Sequence, residues 1–316
     1  MCGVWHGRRH TCPVAPRSPS VIALFGPTGV GKTALAIAVA DRLRASGEDP
    51  VAISADAFQV YRELPILSGA PTEAEQHRLE HLLVGCCGIG EEMSAGRFAR
   101  RAREAIDTSL TAGRRPIVIG GSGLYLQATL TDLEMRPPLD AGMEARAAEV
   151  AAAEPGERRE LLASVSPEAA RQIGDGDRYR AARAVALAEA GQPAEPGAGF
   201  WDATLRHPTA VVGLTRDRAD LYARIDARVD AMIAAGATTE ALGSQAGASA
   251  TARKVIGFEE LPAGREDAMK GRTRRYAKRQ LTWLRRMPCR LVINLSEIPA
   301  DDAAAMVVQA ATAPAE

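Results

Sequence analysis

Apolar residues fall along this chain in two rhythms. Short unbroken runs at residues 21–25 (VIALF), 51–54 (VAIS), 116–119 (PIVI), 210–214 (AVVGL) and 290–294 (RLVIN) have the length of strands buried on both faces. Between them lie longer stretches with helical periodicity. Residues 34–44 are an Ala/Leu-rich helix stopping near Gly47, and residues 73–83 read as a helix ending in His81-Leu-Leu. Residues 94–112 are amphipathic and rich in Arg, and a further helix begins at Leu124-Tyr125. Around residues 217–235, Leu221, Ile225, Val229, Met232 and Ile233 share one face, and Gly236 ends the helix. Strands alternating with helices predict an α/β fold around a parallel sheet.

The rhythm breaks once. After a Pro-bearing stretch at 132–138, the segments 143–153, 158–165, 167–173 and 178–190 are helical with no strand between them, and a Pro/Gly loop follows at 191–199. Residues 138–205 are therefore predicted to be a small all-helical insertion in an α/β core made of 21–137 and 206–300. Residues 301–316 read as an Ala-rich helix that frays into a tail. Residues 1–20 have no periodicity and are expected to be a disordered tail. Their Cys2, His6, His10 and Cys12 match no standard zinc spacing.

Chemistry enters at the first strand. It runs directly into Gly26, Pro27, Thr28, Gly29, Val30, Gly31, Lys32 and Thr33, a complete G-x-x-x-x-G-K-T loop followed by a helix. Glycines let the backbone turn so that its N–H groups point inward, and the helix N-terminus adds its dipole. Lys32 supplies a point charge for a terminal phosphate, and the Thr33 hydroxyl can hold Mg²⁺. The motif identifies a polyphosphate site without saying which polyphosphate. Asp56 and Gln59 follow the second strand, at the sheet edge where α/β proteins bind ligands. The strand at 116–119 opens into a second glycine-rich turn, Gly120-Gly-Ser122-Gly123, with no acid of Walker-B type, which counts against an ordinary ATPase. Arg218 falls in the first turn of its helix, where a cation is disfavoured unless an anion lies close by.

Composition narrows the class. Only 4% of residues are aromatic, so the core must come from Ala, Val, Leu and Ile. Lys plus Arg equal Asp plus Glu at 39 each, so net charge is silent about nucleic acid, but its distribution is not. Residues 271–286 hold seven Lys or Arg with Tyr276 and Trp283 interleaved, a pattern suited to an RNA backbone and unstacked bases. Five cysteines, Cys2, Cys12, Cys86, Cys87 and Cys289, show no paired spacing and are expected as reduced thiols in a cytoplasmic protein. No apolar run reaches membrane-spanning length, and Arg8 and Arg9 precede no apolar signal region.

The order of motifs resembles the tRNA dimethylallyltransferase (isopentenyltransferase) family from about residue 21 to 295. The carriers are GPTGVGKT at 26–33, SADAFQVY at 54–61, SAGRF at 94–98 and PIVIGGSGLYLQA at 116–128. DRADLYARIDARVDAMIAAG at 217–236, RKVIGFEEL at 253–261 and TRRYAKRQLTWLRR at 273–286 continue the series. The resemblance implies a P-loop-like core and transfer of the dimethylallyl group of dimethylallyl diphosphate to the exocyclic amine of the adenosine 3′ of a tRNA anticodon. The loop would then hold the diphosphate with Mg²⁺, and no ATP would be hydrolysed. It assigns catalytic roles to Asp56, Ser122 and Arg218. It assigns tRNA contacts to Asp56, Ala57, Phe58, Gln59, Arg146, Tyr179, Arg180, Arg183, Lys254, Gly257, Lys278, Arg279, Gln280, Trp283 and Arg285. A monomer is the family-like expectation. Departures are Ala57 for the usual Ser, Ala70 for a usual Lys, Glu80 for a His, and GDGD at 174–177 for HPND, with Arg180 and Arg183 kept. A prenyltransferase for free adenine nucleotide and a P-loop small-molecule kinase are the competing readings. The free-nucleotide enzyme needs neither the insertion nor the basic helix, and a kinase predicts ATP turnover without salt-dependent tRNA binding.

Overall fold

The computed structural model describes residues 20–133, 139–193 and 203–313. The N-terminal segment with its Cys and His residues, and parts of the two Pro-bearing breaks, lie outside the described residues.

Six strands form one parallel sheet: β1 (Val21–Phe25), β2 (Pro50–Ala55), β3 (His81–Leu82), β4 (Arg115–Gly120), β5 (Thr209–Thr215) and β6 (Leu291–Asn294), in the order β3-β2-β4-β1-β5-β6. Strands β1, β2 and β4 are apolar on both faces because helices cover both sides. On one face Val21, Ala23, Phe25, Ile53 and Val118 pack against α4 (Ala95–Thr111) and α5 (Gly123–Leu130). On the other, Ile22, Leu24, Ile117, Val212 and Leu214 pack against α1 (Lys32–Ala45) and α13 (Ala300–Thr312). The period-2 alternation within each strand assigns neighbours to opposite layers.

One expected helix is shorter than its pattern. The stretch 73–83 gives a short α2 before it (Pro65–Ser68) and then α3 (Glu73–Arg78), which a Thr72/Glu75 capping box opens. Leu79 leaves the helix in an extended conformation, and His81 and Leu82 pair with Ala52 and Ile53 as the edge strand β3. A free sheet edge overrides the local helical pattern, because its N–H and C=O groups need partners.

Residues 139–193 contain α6 (Ala141–Ala152), α7 (Pro155–Val165), α8 (Pro167–Gln172) and α9 (Arg178–Glu189). They bury a cluster of their own, including Val150, Leu162, Ala169, Ile173 and Val185. After β5 the chain forms α10 (Arg218–Ala234), α11 (Ala237–Gly243) and the long α12 (Glu266–Leu284), which carries the basic stretch. No helix among the described residues is long and apolar enough to cross a membrane.

Strand order places the site. From β1 the connections run to β2 and β4 on one side and later to β5 on the other, so the carboxyl ends of β4, β1 and β5 border the switch point of the sheet.

Candidate active site

β1 passes straight into the phosphate loop, and Gly31, at φ 108°, is the N-cap of α1. That left-handed conformation is open to glycine without strain. Lys32 folds back over the loop, and its Nζ donates to the carbonyl oxygens of Gly26 and Pro27 at 2.9 Å each. Enclosure of the ammonium pushes its pKa down to about 8; Asp56 pulls it upward and Arg228 adds to the depression.

Asp56 follows β2. Its Oδ1 accepts from the Phe58 amide at 2.9 Å, an Asx-type turn that fixes the carboxylate's direction. Arg228, on α10, donates to the Gly69 carbonyl at 3.0 Å. Its guanidinium is enclosed, and burial lowers its pKa against the opposing pull of Asp56 and then Glu75. Gln59 donates to the same Gly69 carbonyl at 3.1 Å and accepts from Ser54 Oγ at 2.7 Å. Lys32, Asp56 and Arg228, each half-buried, thus act on one another electrostatically at the strand ends, where cations outnumber the carboxylate. Such a place suits an anion.

Arg228 was not singled out by the sequence, and its partner Arg224 was missed too. Arg224 Nε donates to the Gly29 carbonyl at 3.1 Å. The two arginines lie four residues apart beside the apolar stripe of α10, and that spacing was the available signal. Arg216 was also missed: it bonds the Val30 carbonyl at 2.9 Å and Asp220 at 2.6 Å, against the loop itself. Arg218 takes a different place. It is exposed, and its guanidinium lies 5.3 Å from the centroid of Tyr222. The ring face, rather than a protein anion, accommodates this cation at the helix start.

Ser122 occupies the N-cap of α5, but its hydroxyl makes no capping bond. Two phenols stand in the field of Asp56. Burial, with Tyr61, Asp56 and Tyr179 adding to it, pushes the Tyr125 pKa far up. Burial and then Asp56 do the same to Tyr276. Both remain neutral hydrogen-bond donors. Tyr179 on α9 is 69% exposed and contributes least to the upward push on Tyr125.

The other residues expected to meet tRNA divide into three groups. Lys278, Arg279 and Arg285 are exposed on one edge of α12, with Arg279 5.5 Å from the Tyr276 ring centroid. Lys254 is exposed nearby, its carbonyl accepting from Arg272 at 3.1 Å. Ala57 and Phe58 are half-buried beside Asp56. A second group is engaged within the protein. Arg146 is held by Glu189 at 2.8 and 2.9 Å and by Glu149 at 3.2 Å. Arg180 pairs with Asp177 at 3.4 Å, and Arg183 is half-buried on the same helix. A third group faces inward. Gly257 is buried at φ 100°, its amide donating to Glu260 at 3.0 Å. Gln280 is 3% exposed, and Trp283 is half-buried against the turn after β4. The basic face is also narrower than the sequence suggests: Arg272 pairs with Glu260 at 2.7 Å and Arg274 with Asp226 at 2.5 Å.

No group of three or more His, Cys, Asp or Glu among the described residues could cage a metal. Thr33 lies in the first turn of α1, where a hydroxyl could serve Mg²⁺, an ion that commonly takes one or two protein groups and completes its shell with phosphate oxygens and water.

A family model described as IPP transferase matches residues 59–287. The tRNA dimethylallyltransferase of Anaeromyxobacter dehalogenans strain 2CP-C is 39% identical over 280 residues, 84% of this chain and 92% of that one. The tRNA dimethylallyltransferase of Desulfosudis oleivorans is 38% identical over 304 residues, 90% of this chain and 93% of that one. Among solved structures, a tRNA isopentenylpyrophosphate transferase from Staphylococcus epidermidis superposes with a TM-score of 0.63 at 27% identity, covering 92% of this chain and 97% of that one. A eukaryotic dimethylallyltransferase acting on tRNA gives 0.72 at 26% identity, over 91% of this chain and 77% of that one.

Proposed function

The chain belongs to the tRNA dimethylallyltransferase family, and from that premise we propose that it transfers a dimethylallyl group from dimethylallyl diphosphate to the exocyclic amine of the adenosine 3′ of a tRNA anticodon. The observation that carries this reading is that two half-buried cations at the strand ends, Lys32 folded over the loop and Arg228 on the Gly69 carbonyl, share the electrostatic influence of Asp56. Two cations beside a carboxylate supply what binding a diphosphate and accepting a proton would need.

The adenine amine is a weak nucleophile. Its nitrogen lone pair forms the new bond to the primary allylic carbon as the carbon–oxygen bond breaks, and the electron pair leaves with the diphosphate. Asp56, aimed by the Phe58 amide, orients the amine and accepts its proton. Lys32, Arg216 and the loop amides stabilise charge growing on the leaving group. Ser122, with no capping bond to make, faces the amine or the diphosphate. Arg218 would have to leave Tyr222 to reach the anion, and we assign it that role on substrate binding. Mg²⁺ held by Thr33 and the diphosphate would supply further positive charge at the leaving oxygens. The target base has to leave its stack to reach this depth. Residues 139–193 and the exposed edge of α12 form the tRNA platform, and the protein works as a cytoplasmic monomer.

The test uses the full chain with Mg²⁺, radiolabelled dimethylallyl diphosphate and unmodified tRNA whose anticodon ends in adenosine, with AMP and ATP in parallel. Label in tRNA alone is expected. Label in AMP, or turnover of ATP, overturns the reading in favour of a nucleotide prenyltransferase or a kinase. Asp56→Ala lowers turnover by about 10²–10⁴-fold while tRNA binding is nearly unchanged; a loss under about tenfold removes Asp56 as the base.

A further inference from the structure

Gln280 sits in the middle of the basic stretch, between Arg279 and the aromatic Trp283, where an RNA contact is expected. The structure puts it elsewhere. It is 3% exposed. Its Oε1 accepts from the amide of Thr28, in the phosphate loop, at 2.8 Å. Its amide nitrogen presses on Gly121 of the second glycine-rich turn so closely that a Cβ there would overlap it. Its side chain also acts on the Tyr276 phenol one helical turn earlier, favouring the ionised form slightly. On the same helix Trp283 presses on Gly123 in the same way. One buried amide therefore touches both glycine-rich turns and an aromatic whose ring carries the exposed Arg279 at 5.5 Å.

The chemistry of this arrangement is specific. A buried amide is costly unless its groups are paired, and here it is paired to a backbone N–H of the anion-binding loop. Loop amides in such motifs normally have only solvent or ligand to bond. The Thr28 amide is instead fixed from behind by a side chain of the helix whose outer edge carries Lys278 and Arg279. The loop's shape then depends on where α12 sits.

We infer that Gln280 is a positioning residue that braces the phosphate loop and, through Tyr276 and Arg279, links occupancy of the basic edge of α12 to affinity at the diphosphate site. The inference rests on the proposed function, since it takes tRNA as the occupant of that edge. The link is a coupling free energy and is reciprocal: each ligand strengthens binding of the other by the same factor.

The experiment measures binding of inorganic diphosphate with Mg²⁺ by calorimetry, with and without an anticodon stem-loop RNA. For the unaltered chain, RNA tightens diphosphate binding by about fivefold or more, at the lower end of typical couplings. Gln280→Met fills the same volume without the acceptor and brings that factor close to one, while each ligand still binds alone. Tyr276→Phe, which removes only the hydroxyl, lowers the factor part-way and serves if Gln280→Met does not fold. A factor unchanged in either folded variant overturns the inference, and so does a factor of one in the unaltered chain. The transfer assay separates this from the function itself: label in tRNA with unchanged coupling leaves the enzyme standing and removes only the brace.

Discussion

The two glycine-rich turns, residues 26–33 after β1 and 120–123 after β4, end adjacent strands and open helices on opposite faces of the sheet, yet their glycines serve different needs. In the first, Gly29 and Gly31 adopt φ 79° and 108°, so these two are there for their backbone conformation, while a Cβ at Gly26 would crowd the Leu214 carbonyl. In the second, none of the three glycines has a positive φ. Gly121 and Gly123 are there for space, because Gln280 and Trp283 lie where side chains would project. The first turn has the backbone of a cradle, which we propose holds an anion, and the second makes a seat for a helix. Similar composition therefore carries two functions, and only the contacts tell them apart.

The charge carried by the first turn gives the strongest way to break this comparison. Lys32→Ala is expected to lower kcat/KM by about 10²–10³-fold, the size of losing a preorganised charge at a leaving group. Ser122→Ala in the second turn removes a single neutral hydroxyl and is expected to cost about tenfold or less. Equal losses in a steady-state assay would mean that both turns hold the reacting groups in the same way.

Stability separates them next. Gly123→Ala collides with the Trp283 ring and is expected to destabilise by about 1–3 kcal/mol, read as a lower Tm. Trp283→Leu in the same chain restores part of it. Gly31→Ala is expected to cost a similar ~1–3 kcal/mol through backbone strain, and no neighbouring substitution recovers that. Recovery in both cases, or in neither, would erase the distinction between space and conformation.

A titration sharpens the electrostatic half. Folding lowers the Lys32 pKa from 10.5 to about 8 by enclosing it. The cost of burying that charge is therefore present below pH 8 and disappears as pH rises toward 10.5. A diphosphate beside the ammonium reverses the shift. The Lys32 side-chain NMR resonances are expected to titrate near pH 8 in the ligand-free protein and well above it with diphosphate and Mg²⁺ bound. An unchanged midpoint would place the anion elsewhere.

The smallest effects concern the outer surface. Arg279→Ala is expected to reduce the salt slope of tRNA binding by about one, as for a phosphate contact. Arg146→Ala leaves the slope nearly unchanged, because its guanidinium already faces Glu189 and Glu149. A change in slope for Arg146 alone would mean that those pairs open to receive RNA.

Much of the architecture was readable from pattern alone. Five of the six strands, the four helices of residues 139–193 and the long α12 fall within a few residues of their expected limits, because apolar period and Gly or Pro punctuation are local signals. β3 was not readable: a two-residue strand carries no period, and it exists only because β2 offers an edge. The loop, Asp56 and Ser122 were legible as motifs. Arg228 was hidden beside an apolar stripe, and Gln280 was hidden by the charged residues around it.

By itself, then, the sequence determined the parallel α/β core, the helical segment, the strand–loop–helix motif and the family. These follow from short-range periodicity and from motifs contiguous along the chain. Only the tertiary structure decided which charges act on one another at the strand ends, which arginines are already paired to carboxylates, and which side of α12 faces the loop. Those outcomes depend on residues far apart in sequence, such as Thr28 and Gln280, being brought within hydrogen-bonding distance. Burial then decides whether a charged or polar group acts on a ligand, holds a neighbour in place or remains in water.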